Sequence, residues 1–146
     1  MSDLINGKPP MSFWIIAGVA LAWNLIGLMI YYMQVTSSPE DLAQFYSEAE
    51  LAFVTSTPAW ATSAYAIAVT AGVLGCLFLL LRKAWAIPMF IISLAGIVVQ
   101  DIHGFIIADG IGVWGLQGLV LPAIVLLIGI GLVLYSRGAK DKSWIA

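Results

Sequence analysis

Histidine and cysteine each occur once, as His103 and Cys76. One histidine excludes a haem held between two histidines of the same chain. One cysteine excludes an intrachain disulfide, and Cys76 is expected to be a small packing residue inside an apolar run. Charge is scarce too: 6 Lys and Arg and 8 Asp and Glu make up 10% of the 146 residues. Those few cations form no basic patch, so no nucleic-acid partner is expected. No Asp or Glu falls at the middle of an apolar run, which argues against a proton-coupled exporter built around an intramembrane carboxylate.

Apolar surface is abundant instead. The chain is 62% hydrophobic, with a mean hydropathy of +1.01. A soluble domain of this size leaves too much surface exposed to hide that fraction, whereas a bilayer accepts it. A span needs about 20 apolar residues, and four such stretches are legible at 13–33, 58–81, 84–107 and 114–136. The expected fold is an all-α integral membrane protein, an up-down-up-down bundle of four transmembrane helices forming a single domain over 1–146. The apolar run near the N-terminus is too long for a signal h-region and lacks a small-x-small cleavage site, so it is expected to remain as the first span.

The cations are segregated. Lys8 precedes the first stretch, Arg82 and Lys83 join the second to the third, and Arg137, Lys140 and Lys142 follow the fourth. The other two connections hold Glu40, Asp41, Glu48, Glu50 and Asp109 and no Lys or Arg. By the positive-inside rule both termini are expected to be cytoplasmic and the acidic loops to face outward, a multi-pass arrangement. Aromatic residues mark the same boundaries: Trp14, Trp85 and Tyr135 inside, Tyr31, Tyr32, Trp60 and Trp114 outside.

The first outer connection has its own signals. Ser37-Ser38-Pro39-Glu40-Asp41 supplies an N-cap, a proline at the first helical position and acids in the first turn. Leu42, Phe45, Tyr46, Ala49 and Phe53 then recur at helical spacing. A short amphipathic helix over 39–53 is expected, lying on the surface or over the bundle mouth. In the second span, Ala64, Ala68, Gly72 and Cys76, with Gly75 beside them, form a ridge suited to close helix packing. Pro122, two turns inside the fourth stretch, is expected to kink it or free a carbonyl.

Polar side chains share the asymmetry of the charges. Asn24, Thr70 and Ser93 fall near mid-depth, while Ser63, Gln100, Asp101, His103 and Gln117 lie toward the acidic side. Ser93, Gly96, Gln100 and His103 follow a 3-4-3 spacing that puts them on one helix face. Asp101, rotated by about 100° from Gln100, is expected to face headgroups or a neighbouring helix. The candidate solute-binding residues are Asn24, Gln100, His103, Ser93, Ser63 and Gln117, with Asn24 as the floor of an outward-opening cavity. Helix–helix glue is the competing role for Asn24. No catalytic residues, metal ligands or cofactor are expected, and the reading leans away from an enzyme: Asp101 and His103 lack further ligands at metal-binding spacing, and no nucleophile triad is legible.

Several segments carry a resemblance: Thr57-Pro58-Ala59-Trp60-Ala61, Gly72-Val73-Leu74-Gly75-Cys76, Leu79-Leu80-Leu81-Arg82-Lys83-Ala84-Trp85-Ala86, and Ser93-Leu94 followed by Gln100. In this order they resemble a group of small four-span bacterial inner-membrane proteins often labelled sugar transporters, which implies a solute-handling bundle. In size and layout the chain is also similar to the DoxX-like four-helix membrane proteins, some of them accessory redox subunits. Two functions are therefore expected to compete. One is binding or helping translocate a small polar solute, as an oligomer. The other is a non-transporting subunit of a larger membrane complex. The lipid bilayer is a partner in either case.

Overall fold

The computed structural model describes residues 8–146. All regular secondary structure among them is helical: α1 (Met11–Thr36), α2 (Pro39–Leu42), α3 (Glu48–Thr55), α4 (Ala59–Leu80), α5 (Ala86–Ile102), α6 (Gly110–Trp114) and α7 (Val120–Asp141). A π-helical turn, His103–Ile107, extends α5, and a 3₁₀ turn, Leu116–Leu119, precedes α7. With those extensions, four helices are long and apolar enough to cross a membrane: Met11–Thr36, Ala59–Leu80, Ala86–Ile107 and Leu116–Asp141. This is what a multi-pass membrane protein requires.

α4 and α5 form the broadest interface, α1 lies on α4, and α7 lies on α5. Small residues let the central pair approach. A Cβ on Gly96 of α5 would stand 2.7 Å from the Ala64 carbonyl oxygen and 3.0 Å from the Ala68 nitrogen, both backbone atoms of α4. Gly75 leaves room for the Phe90 ring, 2.7 Å from where its Cβ would be. The small-residue ridge of α4 thus faces α5 and, at Gly72, also α1. In lipid such close packing supplies association that hydrophobicity does not.

One end of the molecule is filled. Phe13 of α1 stacks on Tyr135 of α7 at 6.4 Å between ring centroids and meets Trp144 edge-on at 5.9 Å. Leu79, Phe90 and Ile145 complete a fully buried plug. The chain after α7 is clasped to the α4–α5 turn: Arg82 Nε donates to the Trp144 carbonyl at 2.7 Å, and Ala84 N–H to that of Ala146 at 3.1 Å. Both α4 and α7 stop in the same way. Arg82 (φ 58°) and Ser143 (φ 61°) take the left-handed conformation. Lys83 N–H then bonds back to the Phe78 carbonyl, and Trp144 N–H to that of Ala139, the 6→1 bond of a Schellman stop.

The other end, which carries the acidic connections, is built from short helices, and here expectation and structure differ. The segment 39–53 is two helices rather than one. Ser47 caps α3 in a reciprocal box, its hydroxyl accepting from Glu50 N–H at 3.2 Å while Glu50 Oε1 accepts from Ser47 N–H at 2.9 Å. That box starts a new helix and turns Phe45, expected on the buried face, outward to 75% exposure. Ser38 caps α2, accepting from Asp41 N–H at 3.2 Å. The fourth long helix also begins late. Gly115, at φ 76°, breaks the chain between α6 and the 3₁₀ turn. α7 therefore starts at Val120, which puts Pro122 in its first turn, where a missing N–H costs little.

Candidate functional site

Among the described residues α1 and α7 share no broad interface beyond the plugged end. The space between them is a cavity of about 380 Å³ bounded by all four long helices. Its wall is mostly aliphatic, with Ile30, Val69, Ile97, Val125 and Ile128 among the lining residues. Asn24, Ser93, Gln100 and Asp101 are its polar members. A second cavity of about 790 Å³ lies beneath α2, α3 and α6, where Gln34, Thr57, Thr62, His103 and Gln117 add polarity. The two abut, sharing Tyr65, Gln100, Asp101, Leu121 and Pro122. Both volumes fall in the range of about 300–1,000 Å³ usual for small-molecule sites.

The deeper cavity owes its polar side to a three-helix junction. Asn24 Nδ2 donates to the Ala20 carbonyl at 2.8 Å and to the Cys76 sulfur at 3.5 Å. Its carboxamide oxygen lies against Gly72, where any side chain would collide with it. Ser93 donates to the Ala68 carbonyl at 2.6 Å. Ser93 is thus a buried interhelical tie, and Asn24 is at once a tie to α4 and a lining residue.

The upper cavity is roofed by rings. Trp114 meets Tyr46 edge-on at 5.8 Å and Phe53 at 6.1 Å. His103 is buried at the start of the π turn, 5.3 Å from the Trp60 ring and 6.4 Å from that of Phe53. The π turn is held by the Ala108 N–H bond to the His103 carbonyl, 2.8 Å. Single π turns are frequent at functional sites, usually inside an α-helix; here the turn closes α5. α6 is capped by Asp109, whose Oδ1 accepts from Gly112 N–H at 3.2 Å.

Five of the six candidate residues, Asn24, Ser93, Gln100, His103 and Gln117, line one cavity or both. Ser63 is exposed and lines neither, because it lies on a face of α4 turned away from α1 and α5. Asp101, expected to face headgroups or a neighbouring helix, lines both cavities. α5 is packed against both α4 and α7, and its neighbouring side chains Gln100 and Asp101, about 100° apart, both line the cavities. Asp101 makes no hydrogen bond or ion pair among the described residues. Tyr65, Tyr46, Phe53 and Trp114 also went unrecognised. The last three are legible in sequence only as an amphipathic face and an interfacial belt.

Among the described residues, no group of three or more His, Cys, Asp or Glu comes together. No protein-family profile, curated protein or solved structure matches the chain.

Proposed function

We propose that this chain is a multi-pass protein of a bacterial inner membrane, its four long helices alternating in direction and both termini in the cytoplasm. It takes a small polar solute from the outer side into the paired cavities, beneath a roof formed by α2, α3 and α6. The observation that carries this reading is the continuity of the two cavities at Gln100 and Asp101, set against the plug of Phe13, Leu79, Phe90 and Ile145 at the opposite end. A site open from one side and filled at the other suits binding; passage across the membrane would require an oligomer.

The Asn24 contact to Cys76 favours a second reading, in which the polar residues serve packing and the chain is a non-transporting subunit docked on a larger complex. α7, the least buried of the four long helices, would then supply the docking face. A thermal-shift screen of small polar solutes on the purified protein separates the two readings. The first expects solutes that stabilise the wild type and lose that effect in Gln100→Ala and Asn24→Ala. Equal shifts in all three proteins, or no shift with any solute, would overturn it in favour of the second.

A further inference from the structure

We infer that the ligand of the paired cavities is an amphiphilic organic cation, an ammonium head held at Asp101 with its apolar tail in the deeper cavity. The inference rests on the solute-binding reading above and narrows it to one chemical class.

Four observations converge on the head. Asp101 stands on the wall common to both cavities and has no cationic partner among the described residues. Lys and Arg are absent from residues 34–81 and 84–136, so no cation of the connections at that end competes for it. The connections there carry Glu40, Asp41, Glu48, Glu50 and Asp109, a field that concentrates cations and repels anions. Rings line the same space, Tyr65 on the shared wall and Tyr46, Phe53 and Trp114 around the upper cavity, and such faces attract an ammonium group. Besides Asp101 and the tyrosines, His103 is the ionisable side chain among the described lining residues, and it lines the upper cavity alone.

The tail follows from the deeper cavity. Below Asp101 the lining becomes aliphatic, through Ile97, Val125 and Ile128 to Leu132. This cavity lies in the seam between α1 and α7, where Ile26, Ile30 and Leu121 are both lining residues and exposed. A chain attached to a head at Asp101 therefore has the mostly aliphatic part of a cavity of about 380 Å³ to enter, past Asn24 and Ser93, which are tied to backbone carbonyls. A sugar would leave that slot unfilled, and an anion would meet Asp101.

The test is a titration of tryptophan fluorescence, with the protein in lipid nanodiscs and empty nanodiscs as the partition control. Three probes are compared: octyltrimethylammonium, tetramethylammonium and octanol. Wild type is expected to bind octyltrimethylammonium at least about tenfold more tightly than either fragment, each interaction contributing on the order of a factor of ten. Asp101→Asn, of nearly the same shape, should lose about tenfold for octyltrimethylammonium and leave octanol unchanged. Val125→Trp, which fills the slot, should weaken octyltrimethylammonium while sparing tetramethylammonium. Unchanged octyltrimethylammonium affinity in Asp101→Asn, or octanol binding as tightly as the cation, would overturn the inference. If cations fail while neutral solutes in the thermal-shift screen remain sensitive to Gln100→Ala, only this inference falls. If neither class binds, the solute-binding reading falls with it.

Discussion

Asn24 and Gly72 are fitted to one another across α1 and α4: the carboxamide oxygen of Asn24 occupies the position a side chain on residue 72 would take. The same amide group ties α1 to α4 through Cys76. Packing and polarity are therefore coupled at this point. Gly72→Ala is expected to destabilise the bundle by about 1–3 kcal/mol, the usual cost of forcing a methyl group into a filled space. In Asn24→Ala the space opens, so Gly72→Ala made in that background should cost much less. A double-mutant cycle on thermal or denaturant unfolding measures the coupling, and additive effects would show that the two residues do not interlock.

Gly96 gives a stricter version of the same test, because its neighbours are backbone atoms of α4 that cannot rotate away. Gly96→Ala should lower stability by at least about 1–3 kcal/mol. Gly131→Ala is the matched control, with nothing within 4 Å of the added methyl. There the gain in helix propensity should leave stability unchanged or raise it by up to about 1 kcal/mol. Similar losses in both variants would remove the argument that α4 and α5 pack at backbone distance.

The four long helices were legible because length and hydropathy report them directly, and the bilayer demands both at once. Helix ends were less legible. The start of α7 depended on Gly115 adopting a positive φ, and the break within 39–53 depended on a Ser47–Glu50 capping box that reads equally well as two polar residues on a helix surface. Cavity lining was legible where one helix face decides the matter, as for Ser93 and Gln100. It was not legible for Asp101, which lines both cavities, or for Ser63, which lines neither. Which neighbours flank a helix, and on how many sides, is a tertiary fact, and helical spacing within one span does not contain it.

The roof depends on its caps. α3 has only eight residues, too few to be stable alone, so the Ser47–Glu50 box carries much of its definition. Ser47→Ala should weaken α3 by about 1 kcal/mol, equivalent to roughly fivefold faster amide exchange across 48–55 under conditions where opening is a rapid pre-equilibrium before exchange. Exchange in α4 and α5 should not change. Uniformly faster exchange would mean that the roof and the bundle open as one unit.

At the plugged end, the Tyr135 hydroxyl is buried and has no hydrogen-bond partner among the described residues. Its ring packs on Phe13, but its polar atom is left desolvated. Tyr135→Phe keeps the ring and removes the unsatisfied group, so stability should hold or rise, by up to about 1–3 kcal/mol. Tyr135→Ala should instead cost about 3–5 kcal/mol by opening a cavity beside Phe13. A loss of stability in Tyr135→Phe would show that the hydroxyl has a partner after all.

The proposed orientation makes a prediction that the single cysteine renders simple to read. Cys76 is fully buried in α4, so the wild-type chain should resist a membrane-impermeant maleimide without any background substitution. Glu48 and Lys140 are exposed at the acidic and basic ends, so Glu48→Cys and Lys140→Cys place reactive thiols on opposite sides if the helices span the membrane. With the basic connections retained in the cytoplasm, Glu48→Cys should label in intact spheroplasts and Lys140→Cys only after permeabilisation. The reverse pattern would invert the topology and turn the acidic mouth toward the cytoplasm. Labelling of both variants in intact spheroplasts would mean that the chain lacks a single fixed orientation, and the argument from charge segregation would fail.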